Sequence, residues 1–206
     1  MKKIIKLSLF GVSLIILIIV ISLVIIDLRQ RNNLYIIKEQ DLFPFIRNGD
    51  VICRQGDRVW SLAFKEFSPN DKRFSHLGIV LMEDDAVFVI HAEWSKGKDN
   101  DKVRKVPLDD FLQHAQSIGI YRNKAIEGKI IADTALQYIN RPFDWDFDMN
   151  DESKLYCSEL LYVIMKSISQ EIKINTIQAK AFSKNIIPVD ICSDSEYFME
   201  VAFFGK

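Results

Sequence analysis

The chain has 206 residues, with 27 Lys plus Arg against 28 Asp plus Glu and a formal net charge of −1. That balance excludes a polyanion binder, so no nucleic-acid partner is expected. A composition that is 49% hydrophobic and 27% charged excludes a disordered chain and supports one domain with its own core.

Lys2, Lys3 and Lys6 are the only charges before Asp27, and residues 7–26 (LSLFGVSLIILIIVISLVII) carry none. As a helix rising about 1.5 Å per residue, that run spans a hydrocarbon core of about 30 Å. It ends without a small-residue cleavage site, which predicts an uncleaved membrane anchor, and the lysines before it outnumber Arg29 and Arg31 after it, which places the N-terminus in the cytoplasm. On this reading residues 1–6 are a cytoplasmic tail, 7–26 a single transmembrane helix and 27–40 a linker. Residues 41–206 form an extracytoplasmic domain at the cell envelope, with the membrane as a partner.

Within the domain a short strand follows Gly49 (DVICR), and an amphipathic helix covers 58–67. The polar break SPNDKR leads into two β-branched runs, HLGIVLM and AVFVIHA. Residues 102–106 and 118–122 read as further strands flanking a helix that opens after Pro107 (LDDFLQHA). A helix over 125–139 stops at Asn140-Arg141-Pro142, because proline removes a donor and biases its predecessor out of the α region. Another opens near Cys157, where Leu160, Leu161, Ile164, Met165 and Ile168 follow the helical period. The segment past Gln170 carries no motif and predicts a cap or helix bordering the site; its apolar residues Ile186, Ile187 and 201–204 read as core or as an acyl-binding surface.

The two β-branched runs, joined at Glu83-Asp84-Asp85, predict a hairpin. A two-residue loop of Glu83 and Asp84 sets His76 opposite His91. A four-residue loop of Glu83 to Ala86 sets His76 opposite Glu93, with His91 as its diagonal neighbour. In both registers the two imidazoles share a face, and only an odd-length loop separates them. Two imidazoles, or an imidazole and a carboxylate, at one end of one face allow one to act as base while the other fixes its tautomer. His114 falls on the amphipathic helix after Pro107 and reads as a solvated side chain.

Three cysteines, Cys53, Cys157 and Cys192, leave at least one unpaired. Cys157 stands at a predicted helix start, where unsatisfied N–H groups favour a thiolate, as a nucleophile requires; a buried structural role fits the same position. A Cys53–Cys192 disulfide is open, though no spacing motif supports it. No metal and no cofactor is expected, because no C-x-x-C or H-x-x-x-H pair occurs.

Taken together, GDVICR, SHLGIV, VIHAEW, NRPFDWDF and LYCSELLYVI resemble, in order over roughly residues 41–170, the YiiX/YebB-like branch of the permuted papain-like (NlpC-type) cysteine hydrolases. That family is related to the lecithin:retinol acyltransferase-like proteins. The resemblance implies an α+β, circularly permuted papain-like fold, with an antiparallel β-sheet or barrel packed on helices. It implies Cys157 as nucleophile and His76 as base. His91 stands at the third catalytic position, where the nearest branch often has Glu, and Glu93 is held in reserve. NRPFDWDF resembles the family's G-x-P-Y-D stretch, with Asn140 in place of Gly and Phe143 in place of Tyr. Asp50 also matches a family position, but as readily caps local backbone. The expected activity is hydrolysis of amide bonds, of cell-wall peptides above all, through a thioacyl-enzyme. Lipid-directed thioesterase or acyltransferase chemistry and a non-catalytic binding module are the alternatives.

Overall fold

The computed structural model describes residues 14–22, 24–25, 37–94, 101–168, 173, 175–179 and 184–205. In chain order its elements are α1 (Glu39–Leu42), β1 (Val51–Gly56), α2 (Val59–Lys65), β2 (His76–Glu83), β3 (Ala86–Glu93), β4 (Lys102–Pro107), α3 (Leu108–Leu112) and β5 (Ala115–Asn123). There follow α4 (Gly128–Leu136), α5 (Cys157–Ser167), β6 (Ile177–Ala179), β7 (Lys184–Ile186), a 3-10 turn (Val189–Ser193) and β8 (Phe198–Phe204).

One antiparallel sheet of order β4-β3-β2-β1-β5-β8 organises the domain, with β6 and β7 as a separate hairpin. Apolar residues at both parities of β1 and β2 bury both faces of the sheet, as strand alternation requires. Val51, Cys53, Leu77 and Ile79 join a core with residues of α4 and α5. Ile52 and Val80 join a second core with Ile37, Leu42 and the α3 residues Leu108, Phe111 and Leu112. The architecture is the α+β arrangement, an antiparallel sheet packed on helices, that the family resemblance implies.

The hairpin takes the second of the two registers: Ile79 pairs with Ile90 and Glu83 with Ala86, closed by Asp84 and Asp85. Asp84 lies in the left-handed region at φ 49, which its short polar side chain tolerates. Asn140 does the same at φ 72 where the chain turns into Arg141-Pro142. Gly49 (φ +76) packs against the start of α4 so closely that a Cβ would sit 2.0 Å from the Gly128 carbonyl oxygen. Only glycine permits this contact, which fixes α4 against the turn before β1. Asp50 beside it is structural: it accepts the Arg47 N–H at 2.7 Å and pairs with the Arg122 guanidinium at 2.8 and 2.7 Å.

Several expectations are corrected. Among the described residues no helix is long and apolar enough to cross a membrane. The single-pass anchor over residues 7–26, the extracytoplasmic placement and the membrane as partner are therefore withdrawn. Residues 1–13, 23 and 26–36, which include the expected cytoplasmic tail and most of the linker, lie outside the described residues. The helix expected over LDDFLQHA ends at Leu112, and His114 sits in the turn before β5 at φ 64. Beyond residue 170 the described elements are the small hairpin, the 3-10 turn and β8, which extends the main sheet beside β5.

Candidate active site

Cys157 is the first residue of α5. The helix begins there because Tyr156 is extended (φ −97, ψ 175) and donates its N–H to the Glu159 carboxylate at 3.4 Å. Leu160, Leu161, Ile164 and Met165 then bury one side of the helix in the first core. Burial pushes the Cys157 thiol up to about 11, against hydrogen bonds from the backbone of Leu77, Ser158 and Cys157 itself, which favour the thiolate. Leu77 directly follows His76, so this contact brings the sulfur to the start of β2.

His76 belongs to the other parity of β2, and its ring packs 5.8 Å from Phe111 in the second core. Its Nε2 lies 2.8 Å from Nδ1 of His91. Burial above all, with Arg54 adding repulsion, holds both imidazoles well below their usual 6.5, so both rings are neutral at pH 7. Behind them Glu93 places an oxygen 3.9 Å from His91 Nε2, which has no hydrogen-bond partner. The other Glu93 oxygen is engaged by Arg54, whose guanidinium also donates to the Phe111 carbonyl at 2.6 Å.

Gly78 makes the diagonal His76–His91 contact possible. A Cβ there would lie 2.5 Å from Val89 Cγ1 and 3.0 Å from His91 Cβ, in the space the imidazole needs. Sequence reading gave this glycine no role, although its position between two face-sharing residues was visible.

A cavity of about 510 Å³ opens at the end of β2, and Cys157, His76 and Glu93 all border it. His91 stands behind His76, only 1% exposed. Of the expected set, His76, His91 and Glu93 are thus brought into one cluster, and Cys157 reaches the same cavity from the opposite core. Among the described residues no hydrogen bond joins the Cys157 sulfur to His76.

Two further features of the cavity were not foreseen. His114 is not a free surface residue: its Nδ1 lies 3.1 Å from the Asp57 carboxylate, and its carbonyl accepts the Asp57 N–H at 3.0 Å. A left-handed conformation just past a helix had no marker such as Gly or Asn to reveal it. The second feature is an aromatic wall. Trp94 stacks on Trp145 at 5.0 Å and meets Phe64 edge-on at 6.0 Å, while Phe143 packs 5.1 Å from Trp145. The NRPFDWDF segment contributes Phe143 and Trp145 to this wall, and the buried Asp144 carboxylate holds its turn by accepting the N–H groups of Asp146 and Asp148 at 2.9 and 2.6 Å.

His76, His91 and Glu93 also present donor atoms within 4.8 Å of one another. As arranged they do not fit an ion: the two imidazoles hydrogen-bond to each other, Arg54 holds Glu93, and its charge opposes a cation there.

The order of these parts, with sheet histidines ahead of a cysteine at a helix start, is that of a permuted papain-like protein. Residues 46–197 match the family described as permuted papain-like amidase enzymes, YaeF/YiiX, C92, and the chain belongs to that family. It is similar to the uncharacterized protein YiiX of Escherichia coli K12, with 24% identity over 128 residues, which are 59% of this chain and 58% of that protein. The match therefore spans less than two thirds of that relative. A crystal structure described as that of the metalloprotein YiiX from Escherichia coli O157:H7 superposes with a TM-score of 0.63 at 16% identity, covering 78% of this chain and 98% of that one. At that identity the likeness shows the fold.

Proposed function

We propose that this protein is a cysteine amidase in which Cys157 is the nucleophile, His76 the general base and His91 the group that orients His76. The observation that carries the reading is the His76–His91 contact: with Nε2 committed to His91 at 2.8 Å, Nδ1 is the His76 nitrogen left to take the thiol proton. His91 Nδ1 then accepts the His76 Nε2–H, which directs the His91 Nε2–H toward Glu93. Glu93 acts in series behind His91 and steadies the imidazolium that forms.

Cys157 attacks the amide carbonyl as its proton passes to His76. The oxyanion rests on the Cys157 N–H at the start of α5, and His76 returns the proton to the departing amine. Water then attacks the thioester, giving up a proton through His76, and releases the acid and the thiol. In the resting state thiol and imidazole are both neutral, so ion-pair formation belongs to the substrate-bound state, in which catalytic hydrogen bonds tighten.

Peptide amides of cell-wall type are the first substrates to try. The aromatic wall favours a second reading, in which the acyl group is a lipid chain and the acceptor a lipid or water. The test incubates the full chain with wall peptides and, separately, with N-acyl amides and phospholipids, followed by mass spectrometry of products and of the acid-quenched protein. Amine release with an acyl adduct on Cys157, absent in Cys157→Ala and slowed in His76→Ala, supports the amidase. Acyl transfer from lipids alone moves the function to the second reading. No turnover and no adduct with any substrate, with haloacetamide labelling of Cys157 indifferent to His76→Ala, overturns the catalytic reading.

A further inference from the structure

Cys53 on β1 and Cys192 in the 3-10 turn lie 139 residues apart in the chain, yet their sulfurs sit 2.8 Å apart in the first core. Neither residue has exposed surface. Burial first, then the neighbouring Cys192 sulfur, pushes the Cys53 thiol well above its ordinary value. Among the described residues, the Cys192 sulfur has, besides Cys53, only the Val189 carbonyl at 3.3 Å. A thiol is a weak donor, and two of them facing each other in an apolar core gain little from hydrogen bonding.

The position of the pair matters to the cavity. Ile187, Pro188 and Val189, which lead into the 3-10 turn, border it. The Ile187 carbonyl accepts the Ser158 hydroxyl at 2.8 Å and its N–H donates to the Tyr156 hydroxyl at 2.8 Å, so this segment holds both residues that flank Cys157. Cys53 is paired across the sheet with Leu77, whose N–H meets the Cys157 sulfur. The two thiols therefore join the two backbones that hold the cavity cysteine from either side.

We propose that Cys53 and Cys192 form a reversible disulfide that clamps the C-terminal segment onto β1. The oxidant is a small-molecule disulfide. One cysteine gives up its proton and attacks a sulfur of the oxidant, expelling one thiol. The partner cysteine, as thiolate, then displaces the second thiol from the mixed disulfide. One S–S bond forms in the protein, one is broken in the oxidant, and the two electrons and two protons lost by the cysteines leave as two molecules of thiol. Because the sulfurs are buried, closure takes place during folding or while the 3-10 turn is open. Cys157 is not consumed, so the clamp stands independently of the amidase reading.

The experiment refolds the full chain with glutathione disulfide or with excess reductant, alkylates it under denaturing conditions, counts free thiols by intact mass and maps linked peptides. Free thiols should fall from the three of the sequence to one, with Cys53 linked to Cys192, and the melting temperature should rise by roughly 5–15 °C over the reduced form. Cys157→Ala should keep the bridge, and Cys192→Val should lose both the bridge and the redox-dependent shift. Three free thiols after oxidative refolding, or a bridge that recruits Cys157, overturns the proposal.

Discussion

The cavity has a histidine at two places along its wall, and they are built in opposite ways. At one, half-buried His76 packs on buried His91 beside Arg54, with a Glu93 oxygen 3.9 Å from His91 and the other Glu93 oxygen held by Arg54. At the other, the His114 ring is more than half exposed but rests on the nearly buried Asp57 carboxylate at 3.1 Å. The first arrangement keeps a ring neutral and so able to accept a proton at pH 7. The second fixes Nδ1 and turns the remaining ring edge outward, which suits contact with a substrate rather than proton transfer in a closed site. On the proposed reading, two histidines on one cavity divide into a base and a binding group by what surrounds them.

The sharpest way to break that division is to remove each ring in turn. Loss of a positioned general base costs typically 10²–10⁴-fold, so His76→Ala should lower kcat by about that factor. His114→Asn, which tolerates the left-handed turn, should leave kcat within about tenfold and act on KM, since it removes a contact and not a proton acceptor. Steady-state kinetics on whichever amide substrate the panel identifies measures both. Equal losses in kcat for the two variants would erase the distinction.

A smaller effect is expected from Gly78→Ala, which tests what allows the first arrangement to exist. The new Cβ has to displace Val89 and His91, and overpacking of this kind costs about 1–3 kcal/mol. Denaturant unfolding should show that loss, together with slower haloacetamide labelling of Cys157 as the His76 ring loses its support. Unchanged stability would mean that the hairpin relaxes and that the glycine is not what admits His91.

The difference between the two histidines also marks how far the sequence could be read. The hairpin, the shared face of His76 and His91, the stop at Asn140 and the helix at Cys157 were legible because each rests on a local rule: side-chain parity, proline sterics, helical period. The register itself was left between two choices, since either buries the same apolar side chains, and the tight Asp84-Asp85 turn decides it. His114 was misplaced because helical periodicity continues through its position while the backbone does not. Strand β8 was missed because its short apolar stretches, interrupted by Glu200, carry no signal for the edge they will join. The apolar run at 7–26 was read as an anchor from its hydropathy, its lack of a cleavage site and its flanking charges, but among the described residues no helix is long and apolar enough to cross a membrane. The Cys53–Cys192 contact, between residues 139 apart, was beyond any spacing rule.

The mildest prediction concerns pH and sets the histidine pair against a buried acid in the first turn of α5. Burial, with repulsion from Asp144, Glu152 and Asp148, pushes the Glu159 carboxyl up to about 8, against the Tyr156 N–H that favours its charge. An acid raised on folding binds its proton more tightly in the native state, so its contribution is fully present below the unfolded value of 4.5 and is lost as pH rises toward 8. His76 and His91 run the other way. Their folded values lie well below 6.5, so their contribution is present above that pH and is lost as pH falls through it and the unfolded chain takes up protons first. Between about pH 4.5 and 6.5 the two slopes oppose each other, and between 6.5 and 8 only that of Glu159 remains of the three. Glu159→Gln keeps an oxygen for the Tyr156 N–H and removes the charge. Its urea midpoint should therefore exceed that of the parent by a margin that grows from pH 5 to 8 and then levels off. His76→Gln should instead flatten the fall on the acid side. If the Glu159→Gln margin were the same at pH 5 and pH 8, the carboxyl would be titrating in the folded protein as it does in water, and the burial at the start of α5 would not govern its charge.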